Sequence, residues 1–520
     1  MTTTETHCPY CSLQCGMRLV SRRAPGGPPQ PAVGGQAVND PAVGGPAVGG
    51  HRVGPQPGRG VPEVEAWEEF PVNRGGLCRK GWTATGLLRH RERLTSPLVR
   101  DPATGELAPA TWDEALDLVA RRLNALRGAH GNDAVAVFGG GGLTNEKAYQ
   151  LGKFARVALA TSQIDYNGRW CMSSAASAGT RAFGLDRGLP FPLADVEETD
   201  VLVLVGSNLV ETMPPAARHL DALRERGGHV VVVDPRRTPT ADRADVFVQP
   251  VPGTDLALAL GLLHLVVADG NVDTEYVDAR TTGFAEVKRA AASWWPERVE
   301  RVTGVPADEL RALARLLGEA DRVMVLTARG AEQHATGSDT VLAWINLALA
   351  LGQPGTPYAG YGCLTGQGNG QGGREHGQKS DQLPGYRMID DPAARTHVAG
   401  VWGVEPDALP GKGRSAYELL DALGTAGGPK ALLVFGSNIV VSAPNARHVS
   451  ARLDSLDLLV VADIMLSETA ARADVVLPVT QWAEETGTMT NLEGRVVLRQ
   501  QAVRAPDGVR SDLGILSGLA

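Results

Sequence analysis

An apolar strand that ends in Gly-Ser-Asn and runs directly into a helix occurs twice in this chain, and that repetition constrains its fold more than any other feature. The first copy, DVLVLVGSNLVETMPPAARHL from Asp200 to Leu220, continues into HVVVVDPRRTPTADRADVFVQPVPGTDLALALG. The second, ALLVFGSNIVVSAPNARHV from Ala431, continues into LDLLVVADIMLSETAARADVVLPV from Leu456. Short continuous apolar runs bounded by turn residues are the signature of strands buried on both faces, as in parallel sheets covered by helices. Gly-Ser-Asn is also a common way to leave a strand, so the turn alone does not prove duplication. The following strands, and the matching endings RADVFVQP and RADVVLPV, favour it. Two such units in one chain predict a pseudo-twofold α/β core that grips two similar ligand halves at the carboxyl ends of its strands. DEALDLVARRLNAL, helical by period, and the strand DAVAVFGGGG extend the α/β pattern upstream.

The 520 residues are 43% apolar and 21% charged, enough to bury the cores of three or more domains. The net charge of -8 arises from mixed acidic and basic residues without a basic block, so nucleic acid is not an expected partner. The most apolar stretches, LALALGLLHLVVA from Leu256 and VLAWINLALALG from Val341, are too short or interrupted to span a bilayer, so no membrane association is expected. MTTTETHCPYC carries neither a Sec nor a twin-arginine export pattern, which leads us to expect a cytoplasmic protein.

Four of the six cysteines lie near the N-terminus: Cys8, Cys11 and Cys15 in HCPYCSLQCG, and Cys78 in GLCRKGW. C-x2-C-x3-C brings three sulfurs around one small volume, and a distant fourth can close a cubane iron-sulfur cluster. A zinc site more often pairs two C-x2-C knuckles, so the spacing disfavours zinc. From about 21 to 61, between the third and fourth of these cysteines, the chain is a PAVGG-rich low-complexity insert, expected to be a surface loop without chemistry.

Two further constellations stand out. In DYNGRWCMSSAASAG the lone Cys171 is flanked by Arg169 and a run of small residues that would let a bulky ligand approach the backbone. Taken singly, such a cysteine is more often core, and a nucleophilic role would need a paired His that spacing cannot locate. LTGQGNGQGGREHGQKSDQLPGYR, from Leu364 to Arg387, interleaves glycines with amides and with Arg374, His376 and Lys379. A flexible linker seldom carries so many donors, and the segment suits an anion or heterocycle. Cys363, just before it, reads as a small buried apolar residue.

Together CPYCSLQCG, LCRKGW, NGRWCMSSA, GSNLVETMPP, DPRRTPTADRAD, GTDLALALG, GQGNGQGGREHG and ETGTMTNLEGR resemble the prokaryotic molybdopterin oxidoreductases that bind bis-molybdopterin guanine dinucleotide. The resemblance runs from Cys8 to the last residue, and within that superfamily the chain looks closest to the cytoplasmic assimilatory nitrate reductases. Formate dehydrogenases place a histidine directly after the metal-binding cysteine or selenocysteine, where this chain has Met172. The resemblance implies that Cys8, Cys11, Cys15 and Cys78 ligate a 4Fe-4S cluster, that Lys80 lies between cluster and pterin, and that Cys171 ligates molybdenum. It further implies that Ser207, Asn208, Asp234, Arg236, Asp255, Gln367, Asn369, Arg374, Ser437 and Asn438 contact the two pterin dinucleotides.

The implied reaction is nitrate reduction by oxygen-atom transfer, with electrons from a ferredoxin, flavodoxin or flavoprotein reductase and with Arg169 or Arg374 attracting the anion. Formate oxidation, and a non-catalytic electron-transfer scaffold or truncated fragment, are the alternatives. The expected architecture is α/β and multidomain. Residues 1–95 form the 4Fe-4S domain; 96–165 with 321–470 form one Rossmann-like domain holding the glycine loop and second Gly-Ser-Asn unit; 166–320 form the other with Cys171 and the first. Residues 471–520 are expected to lead into a C-terminal dinucleotide-binding barrel domain that the resemblance implies and the 520 residues do not contain.

Overall fold

A computed structural model describes residues 1–21 and 61–520. The PAVGG-rich insert falls on residues 22–60 and lies outside the described residues. The chain folds into an N-terminal antiparallel sheet and two parallel α/β units. In the N-terminal sheet, Thr2–His7 pairs with Gly16–Ser21, which pairs in turn with Glu63–Ala66.

The first α/β unit is a five-stranded sheet in the order Val246–Val248, His229–Val233, Val201–Val205, Val323–Thr327, Gly360–Cys363, parallel throughout. In the second, Val475–Pro478, Leu458–Asp463, Ala431–Phe435, Val135–Gly139 and Ile164–Tyr166 follow in the same spatial order, also parallel. An antiparallel edge of Leu98–Arg100 and Leu107–Pro109 completes its seven strands. These strands are buried almost without exception, which explains why they read as unbroken Val/Leu runs. On one face of the five-stranded sheet lie helices Asp255–Ala268, Ala307–Glu319 and Gly337–Ala350, packed in one apolar cluster. Its other face shares a core with Met17, Leu19 and Phe70 of the N-terminal domain.

The sheet pairings divide the chain differently from the expected boundaries. Residues 321–363 supply two strands to the sheet of the first Gly-Ser-Asn unit, because Val323–Thr327 pairs directly with Val201–Val205. The second unit takes its fourth and fifth strands from upstream, at Val135–Gly139 and Ile164–Tyr166, in line with the expected grouping of 96–165 with it. Residues 471–520 belong to this second unit: Val475–Pro478 lies inside its sheet, and Ile515 and Leu516 of helix Asp512–Leu519 share a core with Val119 of helix Trp112–His130. Helix Gly168–Phe183, which carries Cys171, touches Arg329–Glu332 and Gly337–Ala350 of one unit and Ala416–Ala422 of the other.

The two units agree down to single hydrogen bonds. Gly206 and Gly436, which open the Gly-Ser-Asn turns, both have left-handed backbone, φ +61° and +65°, where glycine is favoured. Thr240 Oγ1 accepts from Val210 N at 3.0 Å and donates to Asn208 Oδ1 at 2.9 Å. Thr469 Oγ1 repeats this with Val440 N at 3.1 Å and Asn438 Oδ1 at 2.8 Å. Asp245 and Asp474 likewise each accept from the backbone N–H of a neighbouring strand. A common strand-to-helix turn would not carry its distant threonine and aspartate with it.

Thr240 and Thr469 are fully buried, so Thr→Val at either takes the acceptor from a backbone N–H and a hydroxyl donor from an amide oxygen, although Asn438 Oδ1 keeps the Thr469 N–H at 3.3 Å. Each variant is expected to lose about 1–3 kcal/mol, by similar amounts, in equilibrium denaturation; a large loss at one site with none at the other would refute the equivalence of the two braces.

Candidate active site

The CPYCSLQC segment bridges two antiparallel strands, closed by the Cys8 N–H donating to Cys15 O at 2.8 Å. Gln14 turns the backbone at φ +48°. Cys78 caps the short helix Arg79–Trp82, which brings the fourth sulfur to the other three. Burial pushes the Cys8 thiol up to about 12, and proximity to Cys11 and Cys78 adds to the rise. Burial also raises Cys15, with Cys11, Cys8 and Cys78 all contributing. Thiols gathered so closely that burial and one another's proximity raise Cys8, Cys11 and Cys15 alike suit a polynuclear cationic cluster. Among the described residues no three His, Cys, Asp or Glu converge as tightly as a single metal ion requires, whereas a cubane spreads its thiolates over a larger volume. Lys80 is exposed, stands 5.9 Å from the Tyr10 ring and eases the ionisation of Cys8 and Cys11.

The cysteine loop docks on the glycine-rich loop. Cys11 and Gln367 form an isolated antiparallel bridge. Ser12 donates from its backbone to Gly366 O at 3.1 Å and from Oγ to Thr365 O at 2.5 Å, and Gln14 Nε2 donates to Gly368 O. Residues that would touch a cluster and residues that would touch a pterin are therefore one backbone contact apart. The glycine loop leaves the carboxyl end of Gly360–Cys363 and runs between the two units.

Cys171 lies in the first turns of helix Gly168–Phe183, partly buried, against Met172, Ala175 and Cys363. Among the described residues, buried side-chain atoms without a hydrogen-bond partner occur along the glycine loop, at Thr365 Oγ1, Arg374 Nε and Nη2 and Gln378 Oε1, and at the second Gly-Ser-Asn turn, at Ser437 Oγ. Buried polar atoms are ordinarily paired, so this set fits a polar ligand between the sheets. Ser207, Asn208, Asp234, Arg236 and Asp255 sit at the carboxyl edge of the five-stranded sheet, Ser437 and Asn438 at the equivalent edge of the other.

Not every expected contact residue has groups to spare. Asn208 and Asn438 brace their own turns. Asn369 uses both amide donors on Leu143 O and Asn145 Oδ1, and accepts from Thr490 N, so it ties three segments together. Arg169 is held by Asp165 at 2.8 Å and Asp381 at 2.6 Å. Arg374 is 1% exposed and paired with Asp186 at 2.7 Å, which also accepts from Lys379 Nζ at 2.8 Å.

Asp186 was invisible in the sequence, being one acidic residue in LDRGL. Burial alone would raise its carboxyl, but Arg374 and Lys379 outweigh that and hold it below the usual range. Arg329, Glu332 and Cys363 form a second hydrogen-bonded group that sequence reading also missed. What unites them is only that two parallel strands end side by side.

A dinucleotide-type double core with a four-thiol domain docked on its central loop defines a metal-dependent redox enzyme. The family described as Molybdopterin oxidoreductase matches residues 93–520, and its Fe4S4 domain matches residues 1–90. The chain belongs to the molybdopterin oxidoreductase family. It is 40% identical over 518 residues, 100% of this chain and 68% of the relative, to the assimilatory nitrate reductase catalytic subunit of Bacillus subtilis. It is 33% identical over 516 residues, 99% of this chain and 69% of the relative, to a formate dehydrogenase alpha subunit of Methanocaldococcus jannaschii. Acetylene hydratase from Pelobacter acetylenicus shares the fold, with TM-score 0.75 at 19% identity over 99% of this chain and 68% of that one. The chain is an enzyme whose cofactors are a 4Fe-4S cluster and a bis-pterin molybdenum centre. No described helix is long and apolar enough to cross a membrane.

Asp186→Asn removes the one carboxylate shared by two buried cations and is expected to cost about 3–5 kcal/mol near neutral pH. Because the folded carboxyl ionises below its unfolded value, its contribution is complete above roughly pH 4 and fades as pH falls through the folded value. The gap in thermal midpoint between wild type and variant should therefore narrow on acidification below about pH 4; a gap independent of pH would remove Asp186 as the source.

Proposed function

We propose that this enzyme reduces nitrate to nitrite, with a ferredoxin, flavodoxin or flavoprotein reductase as electron donor and the cytoplasm as its compartment. The observation that carries the reading is 40% identity, along the whole of this chain, to a protein named assimilatory nitrate reductase catalytic subunit. When bound, molybdenum exchanges an oxygen atom and two electrons with substrate, and the iron-sulfur cluster relays single electrons.

The residues of the chain then divide the remaining work. Cys8, Cys11, Cys15 and Cys78 would hold the cluster, with Cys8 and Cys15 buried and Cys11 and Cys78 partly so, under the docked glycine loop. Cys171 would hold the molybdenum, and Met172 beside it is buried and carries no proton for exchange. Lys80 supplies positive charge next to Cys8 and Cys11. Ser207, Asp234, Arg236 and Asp255 on one sheet edge, and Ser437 on the other, are placed to contact the two dinucleotides, with Gln367 and Arg374 between them. Asn208, Asn438 and Asn369 hold those contact segments in shape.

Formate oxidation is the second reading, favoured by the 33% identity to a formate dehydrogenase subunit; Met172 in place of histidine stands against it. Anaerobically purified full-length chain assayed with reduced viologen should form nitrite from nitrate. Cys171→Ala should abolish nitrite formation and lose molybdenum while keeping about four irons per chain. Formate-dependent dye reduction without nitrite formation would move the assignment to formate.

A further inference from the structure

We propose that Arg329 is the side chain that grips the small planar oxyanion substrate beside Cys171. The proposal rests on the oxyanion reading above and names the residue that would read the anion. Strands Val323–Thr327 and Gly360–Cys363 are parallel neighbours, and ligands of such sheets bind beyond the strands' carboxyl ends. Arg329 starts the short helix Arg329–Glu332 immediately after the first of these strands, and Cys363 ends the second.

Three arginines lie around the helix that bears Cys171, and their partners separate them. Arg169 faces two carboxylates, Asp165 and Asp381, so its surroundings are net negative. Arg374 is 1% exposed and bound to Asp186. Arg329 keeps 22% exposure, faces one carboxylate, and has Cys171 within electrostatic reach.

Its guanidinium is also oriented in advance. Nε donates to Glu332 Oε2 at 2.9 Å, Nη2 to the same oxygen and to Cys363 Sγ at 3.2 Å, and Nη1 to Leu364 O at 2.7 Å. That engages four of the five guanidinium N–H groups. The remaining Nη1–H has no partner among the described residues. Glu332 is itself pinned: its Oε1 accepts from Thr327 Oγ1 at 2.8 Å, Thr327 contacts Tyr361 OH at 2.7 Å, and the Glu332 carbonyl accepts from Ser174 Oγ at 2.7 Å. Ser174 lies on the Cys171 helix, one turn further on. The arginine and the metal-site cysteine are thus fixed relative to each other by a short hydrogen-bonded path. The free Nη1–H can donate to one oxygen of an oxyanion while the delocalised positive charge attracts the anion as a whole, and prior orientation lowers the entropy cost of gripping one. Cys363 gains a role here as the thiol that receives Arg329 Nη2 and donates to Glu332 Oε1 at 3.4 Å.

The test compares wild type, Arg329→Gln and Arg329→Lys as metal-loaded full chains, each with iron and molybdenum content measured. In Arg329→Gln the KM for nitrate should rise about 10- to 100-fold, with kcat changed far less. The Kd for nitrate, titrated calorimetrically without electron donor, should rise by the same factor. Arg329→Lys keeps charge but loses the hydrogen bonds to Glu332, Cys363 and Leu364 that orient it, so its rise should be smaller, about fivefold; this variant carries the comparison if the glutamine variant does not load. A KM and Kd within twofold of wild type in whichever variant loads would overturn the proposal. If wild type forms no nitrite, the nitrate reading fails on its own, and the same titrations with formate decide Arg329 separately: weakened formate binding supports it, unchanged binding overturns it.

Discussion

The architecture depends on burying an irregular backbone. Residues 364–379 form little regular structure, yet most of them are buried, and buried peptide groups must find partners. The partners come from every side. Ser12 and Gln14 reach in from the cysteine loop, Asn369 reaches out to Leu143, Asn145 and Thr490, and Arg156 spans Gly377 O at 2.5 Å and Lys379 O at 2.6 Å. Burial lowers the Arg156 guanidinium to about 10, yet the neighbouring Asp165 and Asp381 favour its charge. The loop therefore acts as the joint at which the N-terminal domain and both α/β units meet.

Charge pairing makes that joint electrically specific. Asp186 with Arg374 and Lys379, Arg169 with Asp165 and Asp381, and Arg329 with Glu332 are all at least partly buried. Isolated buried charges are costly, and such pairs do little for stability beyond offsetting their own desolvation. Their value lies in fixing positive groups around a site meant for anionic ligands, where screening by water is weak.

Much of this was legible in the sequence, and for definite reasons. The cysteine spacing is local, so C-x2-C-x3-C shows without a fold. Buried parallel strands announce themselves as apolar runs, and the duplicated Gly-Ser-Asn units were visible as repeats; the structure adds that their braces Thr240 and Thr469 stand at nearly equal distances, 32 residues after Asn208 and 31 after Asn438. The allocation of Val323–Thr327 and Gly360–Cys363 to the first sheet was not legible. Val323–Thr327 and Val135–Gly139 are equally apolar, and which sheet each joins depends on pairing partners more than a hundred residues away.

Sequence by itself determined the C-x2-C-x3-C spacing, the doubled strand-turn-helix grammar and the glycine loop, because each is encoded in neighbouring residues whose pattern needs no distant partner. Tertiary structure alone decided which charges face which. Asp186, Arg329, Glu332 and Cys363 look ordinary in the chain. They acquire meaning only because Gly360–Cys363 lies beside Val323–Thr327 and the Cys171 helix crosses both units, so that electrostatic neighbours are set by strand order and not by distance along the sequence.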